Sequence, residues 1–383
     1  MNTLHLLATC ARGFEPCLER ELKSLACNGL KATNGGVIFE ADFEQAMKVC
    51  LWSRIANKIE VLIKEDYVTR ESDLYDLGKK IPLEPWFSPE ATFCIHAHVN
   101  DEKLGKCSFL ALKFKDGIVD QMRDKWGRRA SVDTDRPDVV VGLQIIQRKA
   151  RVFIELQGDP LNMRGYRRRQ IQAPIRETLA ASMIALSEWQ PQNGIFIDPM
   201  CGSGTFAIEA ALIATQTAPG IQRHFGFEKL PFFPEKANTW RILRDEAREI
   251  SKKTRKNFNA EIRAVDIDSA ALDIALNNAQ TAGVADLIQF TRGDILKMKP
   301  ISQATLVTNP PYGERITVDD LDLPEFYYQL GRLVRTFANS SLTIISTAEL
   351  LKKNMHMKPS QRIATYNGPI ACEVATYQLG ISR

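Results

Sequence analysis

The stretch IFIDPMCGSGTFAIEA, residues 195–210, reads as a short apolar strand ending at Asp198, a turn carrying Gly202 and Gly204, and a helix that opens near Thr205. Glycines in a turn admit backbone angles that side chains resist, and they let another group come close to the main chain. The free N–H groups at the start of the following helix favour anionic or polar groups. Strand, glycine turn and helix in that order make the first unit of an α/β arrangement. The chain on either side decides how far that arrangement extends.

Downstream, the alternation continues. EIRAVDID (261–268) reads as a strand, and SAALDIALNNAQTAG (269–283) as a helix with Ser269 as its cap and Gly283 past its end. IQFTRGD and ATLVTNPP read as strands, LPEFYYQLGRLVRTF as a helix and SLTIIST as a strand. Apolar strands alternating with helices imply a parallel sheet covered on both faces. QRIATYNGPIACEVATYQL (361–379) breaks the alternation with two extended runs about Asn367-Gly368, the signature of an antiparallel hairpin. Residues 218–259, with a helical middle at 236–258, read as an insertion.

Upstream, strands at 3–9, 36–40, 56–64 and 92–99 mix with helices at 14–27, 43–51, 73–81 and 108–127, without a regular repeat. Gly35-Gly36 marks the turn between the first helix and the second strand, and residues 138–156 hold two strands with a turn near Gln147 to Lys149. This half is α+β. Between the halves, GDPLNMRGYRRRQIQAPI (158–175) has no apolar period and reads as a linker.

At 383 residues the chain suits two or three domains, and 44 % apolar with 25 % charged residues is ordinary for a globular protein. No apolar run is long enough to span a bilayer, and the N-terminus lacks a basic start and a small-residue cleavage site. The eight cysteines include no Cys-x-x-Cys pair, so free thiols in a cytoplasmic protein are expected, and the five histidines show no metal-binding spacing. His96 and His98 read as surface or satisfied core groups. The net charge of +4 is uneven: residues 101–170 hold 16 Lys and Arg against 10 Asp and Glu. That segment suggests a polyanionic partner, or equally a solvated lysine-rich surface.

Ligands of open parallel sheets lie beyond the carboxyl ends of the strands. Four such ends carry polar residues here. The glycine turn after Asp198 is not a P-loop, which requires Gly-Lys-Ser/Thr, and a nicotinamide dinucleotide fold expects an acid about 20 residues on; the next strand ends much later, at Asp266. Asp266 can accept both hydroxyls of a ribose, and Asp294 can accept from the exocyclic amine of adenine. Asp268 reads as a turn residue before the helix. The fourth end is Asn309-Pro310-Pro311-Tyr312 in TLVTNPPYGERI (305–316). Two prolines have no backbone donors and fixed φ angles, so the corner is rigid. The Asn309 side-chain oxygen and the Pro310 carbonyl can accept the two N–H bonds of a base amine and localise its lone pair. Tyr312 offers a face for a flipped base.

The motifs DPMCGSGT, VDID, GD and NPPYGER, in this order, resemble class I S-adenosylmethionine-dependent amino-methyltransferases. RGYR…APIRETLAASMI and the α+β half resemble the THUMP-domain RNA methyltransferases, most nearly the 23S rRNA guanine-N2 methyltransferases. The resemblance covers nearly the whole chain. It implies a ferredoxin-like piece at 1–52, a THUMP RNA-binding domain at 53–160, a linker at 161–175 and a Rossmann-like methyltransferase domain at 176–383. It implies cofactor contacts from Asp198, Gly202, Ser203, Gly204, Thr205, Asp266, Ile267, Asp294, Ile295 and Asn309, and catalysis at Asn309, Pro310, Pro311 and Tyr312. It implies RNA contacts from the basic residues Arg167, Arg168, Arg169, Lys113, Arg128 and Arg129, with Lys115, Arg123 and Lys125 as further candidates. No metal, membrane or obligate protein partner is expected. The four-residue corner is shared with adenine-N6 methyltransferases. Adenine N6, guanine N2 of tRNA and a non-catalytic RNA-binding assembly factor therefore stay open as alternatives to guanine N2 of 23S rRNA.

Overall fold

Short apolar or alternating runs such as those at Leu4–Thr9 and Phe93–Asn100 make strands, and amphipathic runs between them make helices that pack on the sheet. The computed structural model describes residues 3–101, 104–167, 175–192, 194–313 and 322–380. Its first half runs β1 (Leu4–Thr9), α1 (Glu15–Ser24), β2 (Asn28–Thr33), β3 (Gly36–Ala41), α2 (Phe43–Trp52), β4 (Lys58–Tyr67), α3 (Glu71–Gly78), β5 (Phe93–Asn100), α4 (Cys107–Trp126), β6 (Val139–Ile146) and β7 (Lys149–Glu155). These strands form one seven-stranded sheet in the order β2-β3-β1-β4-β7-β6-β5. Only the β5–β6 pair is parallel. β4 pairs with β1 on one side and with β7 on the other, so the two pieces expected at 1–52 and 53–160 share a sheet.

β2 has no counterpart in the sequence reading. Five of its six residues are exposed, so no apolar alternation announces it, and it exists through its pairing with β3. The glycine turn therefore joins two strands and not a helix to a strand.

The second half runs α5 (Glu177–Leu186), β8 (Ile195–Asp198), α6 (Thr205–Ala214), α7 (Ala237–Lys256), β9 (Ile262–Asp266), α8 (Ser269–Ala282), β10 (Gln289–Arg292), β11 (Ala304–Thr308), α9 (Leu323–Val334), β12 (Ser340–Ser346), α10 (Ala348–Asn354), β13 (Gln361–Asn367) and β14 (Ile370–Leu379). The sheet order is β10-β9-β8-β11-β12-β14-β13. β8 to β12 are parallel, and β14 and β13 close the edge as the expected antiparallel hairpin. From β8 the chain winds outward through β9 and β10, then returns to add β11 on the other side. The strand order reverses at β8 and β11, which is where such sheets hold ligands. α8 is capped by Asp268, whose side chain accepts from the Ala270 N–H; Ser269, the expected cap, is its first helical residue.

The two halves are packed together. The Arg54 guanidinium donates to the carbonyls of Leu212 and Thr217 at 3.1 and 2.7 Å. Thr178 Oγ1 donates to Asn57 Oδ1 at 2.6 Å, and the Phe227 N–H to the Leu156 carbonyl at 3.0 Å. Phe43 meets Phe227 and Phe232 edge-on, so the insertion fills the seam. The turn at Gly13 lies against β13, where a Cβ would come within 2.4 Å of Ile363 Cγ2.

The segment expected as a linker is a buried strap in its described part. Glu209, on the otherwise apolar α6, is fully buried; it accepts from the Tyr166 hydroxyl at 3.1 Å and lies 3.5 Å from Arg164 Nε. Arg164 in turn donates to the Arg54 carbonyl. A charge inside a protein is tolerated only when paired and hydrogen-bonded. Glu209→Ala leaves the buried Arg164 uncompensated, so it is expected to lower the unfolding free energy by roughly 3–5 kcal/mol, measured by urea denaturation.

Candidate active site

Asp198, Asp266, Asp294 and Asn309 end or follow β8, β9, β10 and β11, so all four lie at the carboxyl edge of one parallel sheet. Their surroundings differ. Asp198 is fully buried, and among the described residues its carboxylate oxygens make no hydrogen bond of normal geometry, the Met200 N–H being their one marginal backbone contact. Burial, with the Asp266 charge adding to it, holds its carboxyl well above the usual carboxylate range. On the adjacent strand, Thr308 Oγ1 and Asn309 Oδ1 are also buried and unpaired. Buried polar atoms are almost always hydrogen-bonded, and three orphans on neighbouring strand ends mark a place that a polar ligand completes.

The glycine turn is held in shape from two sides. The Gly202 N–H donates to Asp266 Oδ2 at 2.8 Å, and Asn278 of α8 donates to the Ser203 carbonyl at 3.1 Å. Gly204 has φ +81°, and a Cβ there would sit 2.9 Å from the Ala275 Cβ, so α8 packs directly on the turn. Thr205 Oγ1, at the first turn of α6, accepts from Arg167 at 2.8 Å and lies 3.4 Å from Ser203 Oγ.

Asp266 accepts from two backbone amides, Gly202 and Asp268, through different oxygens. Its remaining lone pairs are those available to a ribose. Ile267 is 62 % exposed, an apolar side chain left open beside this acid. Asp294 accepts from the Leu296 N–H at 3.0 Å and lies 3.6 Å from Lys297 Nζ, while Ile295 beneath it is buried. The structure thus brings Asp198, the glycine turn, Asp266, Ile267, Asp294 and Asn309 to one edge.

Two expectations are corrected by the packing. Tyr312 offers no open ring face: it is 5 % exposed, and its hydroxyl accepts from Asn367 Nδ2 at 2.8 Å. Arg167 faces inward, donating to the Ile175 carbonyl and Thr205 and lying 3.3 Å from Glu177, so it braces the glycine turn and is not placed to reach a phosphate. Arg168 and Arg169 lie outside the described residues.

On α4 and just past its end the expected cations are mostly paired with acids. Arg128 pairs with Glu90, Lys125 with Glu84, Arg123 with Asp120 and Lys115 with Asp116. Lys113 and Arg129, which have no ion pair among the described residues, line a groove of about 980 Å³ beside α3 whose walls also carry Glu71, Asp76, Asp116 and Asp120. The insertion 218–259 holds ten Lys and Arg against five Asp and Glu, a second basic region that the count over 101–170 passed over.

Other site residues went unread. Glu209 had a usable signal: one acid inside the apolar run TFAIEAALIA must find a buried partner. Tyr327, in the buried stripe of α9, needs a partner for its hydroxyl. Asn367 had none, since in Asn-Gly it reads as a turn residue.

Residues 164–376 match the family described as RMKL-like, methyltransferase domain; residues 5–60 match the RlmL ferredoxin-like domain and 68–155 the THUMP domain. The chain is 36 % identical over 378 residues to the ribosomal RNA large subunit methyltransferase K/L of Psychromonas ingrahamii, covering 97 % of this chain and 50 % of that protein. It therefore spans about half the length of this relative. It is similar to the crystal structure of SMU.472 complexed with SAH, with a TM-score of 0.87, 28 % identity and full coverage of both chains. It is also similar to a predicted N6-adenine-specific DNA methylase from Listeria monocytogenes, with a TM-score of 0.86 and 28 % identity over 99 % of this chain and 97 % of that one.

Asp266→Ala removes the acceptor of two amides. Hydrogen bonds to charged groups contribute about 1.5–3 kcal/mol, so hydrogen exchange at Gly202 and Asp268 is expected to quicken by roughly ten- to hundredfold, with core amides unchanged. Parental exchange at Gly202 would show that the carboxylate does not hold the turn.

Proposed function

Because the chain belongs to the RMKL-like family of methyltransferase domains, we propose that it methylates the exocyclic N2 amine of a guanosine in 23S rRNA. The cofactor is S-adenosylmethionine, which supplies an electrophilic methyl group on a sulfonium. The observation that carries the reading is the trio of buried, unpaired polar groups, Asp198, Thr308 and Asn309, beside a glycine turn. They fit the cofactor and an amine. Asp198 carries the carboxylate an amino-acid ammonium needs. Asp266 and Ile267 suit a ribose and the flat face of an adenine, and Asp294 suits the adenine amine. Among the described residues no group of three or more His, Cys, Asp or Glu is placed to hold a metal ion.

An aryl amine is a weak nucleophile because its lone pair is delocalised into the ring. Asn309 Oδ1 and the Pro310 carbonyl accept the two N–H bonds and draw the nitrogen toward tetrahedral geometry. Because both acceptors belong to a rigid corner, they need no reorganisation as charge develops. The base must leave its stack, at a cost of a few kcal/mol, and phosphate contacts supply binding energy but little sequence information. Lys113 and Arg129 in the α3–α4 groove are proposed for such contacts. Localisation with rRNA in the cytoplasm belongs to the same reading.

Asn309→Ala is expected to lower single-turnover methyl transfer at least about 100-fold while leaving most cofactor affinity. Parental turnover would remove Asn309 from amine activation. With unmodified 23S rRNA and labelled cofactor, nucleoside digestion is expected to give N2-methylguanosine. N6-methyladenosine would overturn the base assignment and favour the adenine alternative.

Asp198 sets a pH signature. In the free protein its raised pKa keeps the carboxyl protonated into the range where an ordinary aspartate is ionised. A bound ammonium favours the carboxylate, so binding releases a proton between the bound and free pKa values. Affinity is expected to rise with pH from the ordinary carboxylate range until the ligand's own ammonium begins to lose its proton, at about 8 for an α-amino group. Calorimetry in buffers of different ionisation enthalpy measures the release; pH-independent affinity would rule out this contact.

A further inference from the structure

Two side chains outside the NPPY run close on it from behind. Tyr327 of α9 is fully buried, and its hydroxyl donates to the Pro311 carbonyl at 3.2 Å. The same hydroxyl lies 2.7 Å from Ser346 Oγ, at the end of β12. Ser346 is also fully buried, so a relay runs from Ser346 through Tyr327 to Pro311. On the other side, Asn367 at the end of β13 donates to the Tyr312 hydroxyl at 2.8 Å.

The torsions show what these bonds do. Thr308 is fixed in β11 by its pairing with β12. The φ angles of Pro310 and Pro311 are set by their rings, and the peptide planes are rigid. The remaining backbone freedom along the corner is in φ and ψ of Asn309, ψ of Pro310 and Pro311 and φ of Tyr312. Tyr327 fixes the direction of the Pro311 carbonyl and hence the ψ of Pro311. Asn367 pins the next side chain. With both ends held, the Asn309 side chain and the Pro310 carbonyl have little room to swing.

We propose that Tyr327 and Asn367 are positioning residues for methyl transfer, which aim the acceptors of Asn309 and Pro310 at the substrate amine. This rests on the reading of that pair as the amine-accepting group. Neither residue touches the reacting atoms. Each acts through Pro311 or Tyr312, and a misplacement of about 1 Å at a reacting centre can cost on the order of 100-fold in rate.

The experiment uses the full chain, with single-turnover methyl transfer, KM for cofactor and RNA, and thermal unfolding measured for each variant. Tyr327→Phe and Asn367→Ala are expected to lower turnover about tenfold or more, with both KM values within about twofold of the parent. Asn367→Asp replaces the donor with an acceptor to which the Tyr312 hydroxyl can donate, so the contact is remade in the opposite direction and most of the rate is expected to return. Tyr327→Phe with Ser346→Ala removes both buried hydroxyls and leaves only the Pro311 carbonyl without its donor, so part of the stability lost in Tyr327→Phe is expected to return while turnover stays low. Turnover that tracks unfolding temperature across the set, or that returns in the double variant, would overturn the proposal. Asn309→Ala in the same assay separates the two ideas. Parental turnover there refutes the amine-accepting corner, whereas a large loss there with parental rates in Tyr327→Phe and Asn367→Ala refutes only the positioning role. Should Tyr327→Phe not fold, the double variant and the Asn367 pair still decide.

Discussion

A carboxylate with no access to water governs how this chain is assembled. Glu209 sits on a helix whose other residues are nearly all buried and apolar. It is tolerated because Arg164 and Tyr166 reach it. That requirement draws residues 160–167 down onto α6, and with them the first half of the chain, since Arg164 also bonds the Arg54 carbonyl and Arg54 bonds carbonyls at the end of α6. Burial lowers Arg54 to about 10 even with Glu209 near. One residue further along the strap, Arg167 joins Thr205 to Glu177. The charge that closes the seam and the hydroxyl that opens the site helix therefore belong to one connected network. Both domains contact the network that reaches the glycine turn, so a fragment beginning near residue 160 would lose buried partners and not merely an RNA-binding module.

The edge of the second sheet divides its polar groups into satisfied and unsatisfied sets. Asp266, Asp268 and Asp294 serve the backbone: they hold the glycine turn, cap α8 and order the turn after β10. Asp198, Thr308 and Asn309 leave buried side-chain oxygens without a hydrogen bond of normal geometry among the described residues. The first set makes the frame rigid, so the second set can be rigid without internal partners. This is the arrangement electrostatic preorganisation requires, because acceptors that are already aimed need not be recruited when the ligand arrives. The corner after β11 extends the logic: Tyr312 is spent on anchorage to the terminal hairpin, which the turn at Gly13 backs from the first half.

The α/β half, the terminal hairpin and the strand-end position of Asp198, Asp266, Asp294 and Asn309 were legible in the sequence. The reason is physical: alternation of apolar strands and helices is a local pattern, and a parallel sheet sends successive carboxyl ends to the same edge. Local patterning also exposed the rigid corner, since two prolines restrict the chain wherever it goes. What the tertiary structure alone decided is where polar side chains find partners. The exposed strand β2 exists only through pairing. Arg167 looked like a cation for phosphate until Glu177 and Thr205 enclosed it. Tyr312 looked like an open ring until Asn367, 55 residues away, bonded it. Arg54 meets Thr217 across 163 residues. A hydrogen bond or ion pair is made by proximity in space, and nothing in the spacing of residues along the chain records which distant surface will exclude water from it.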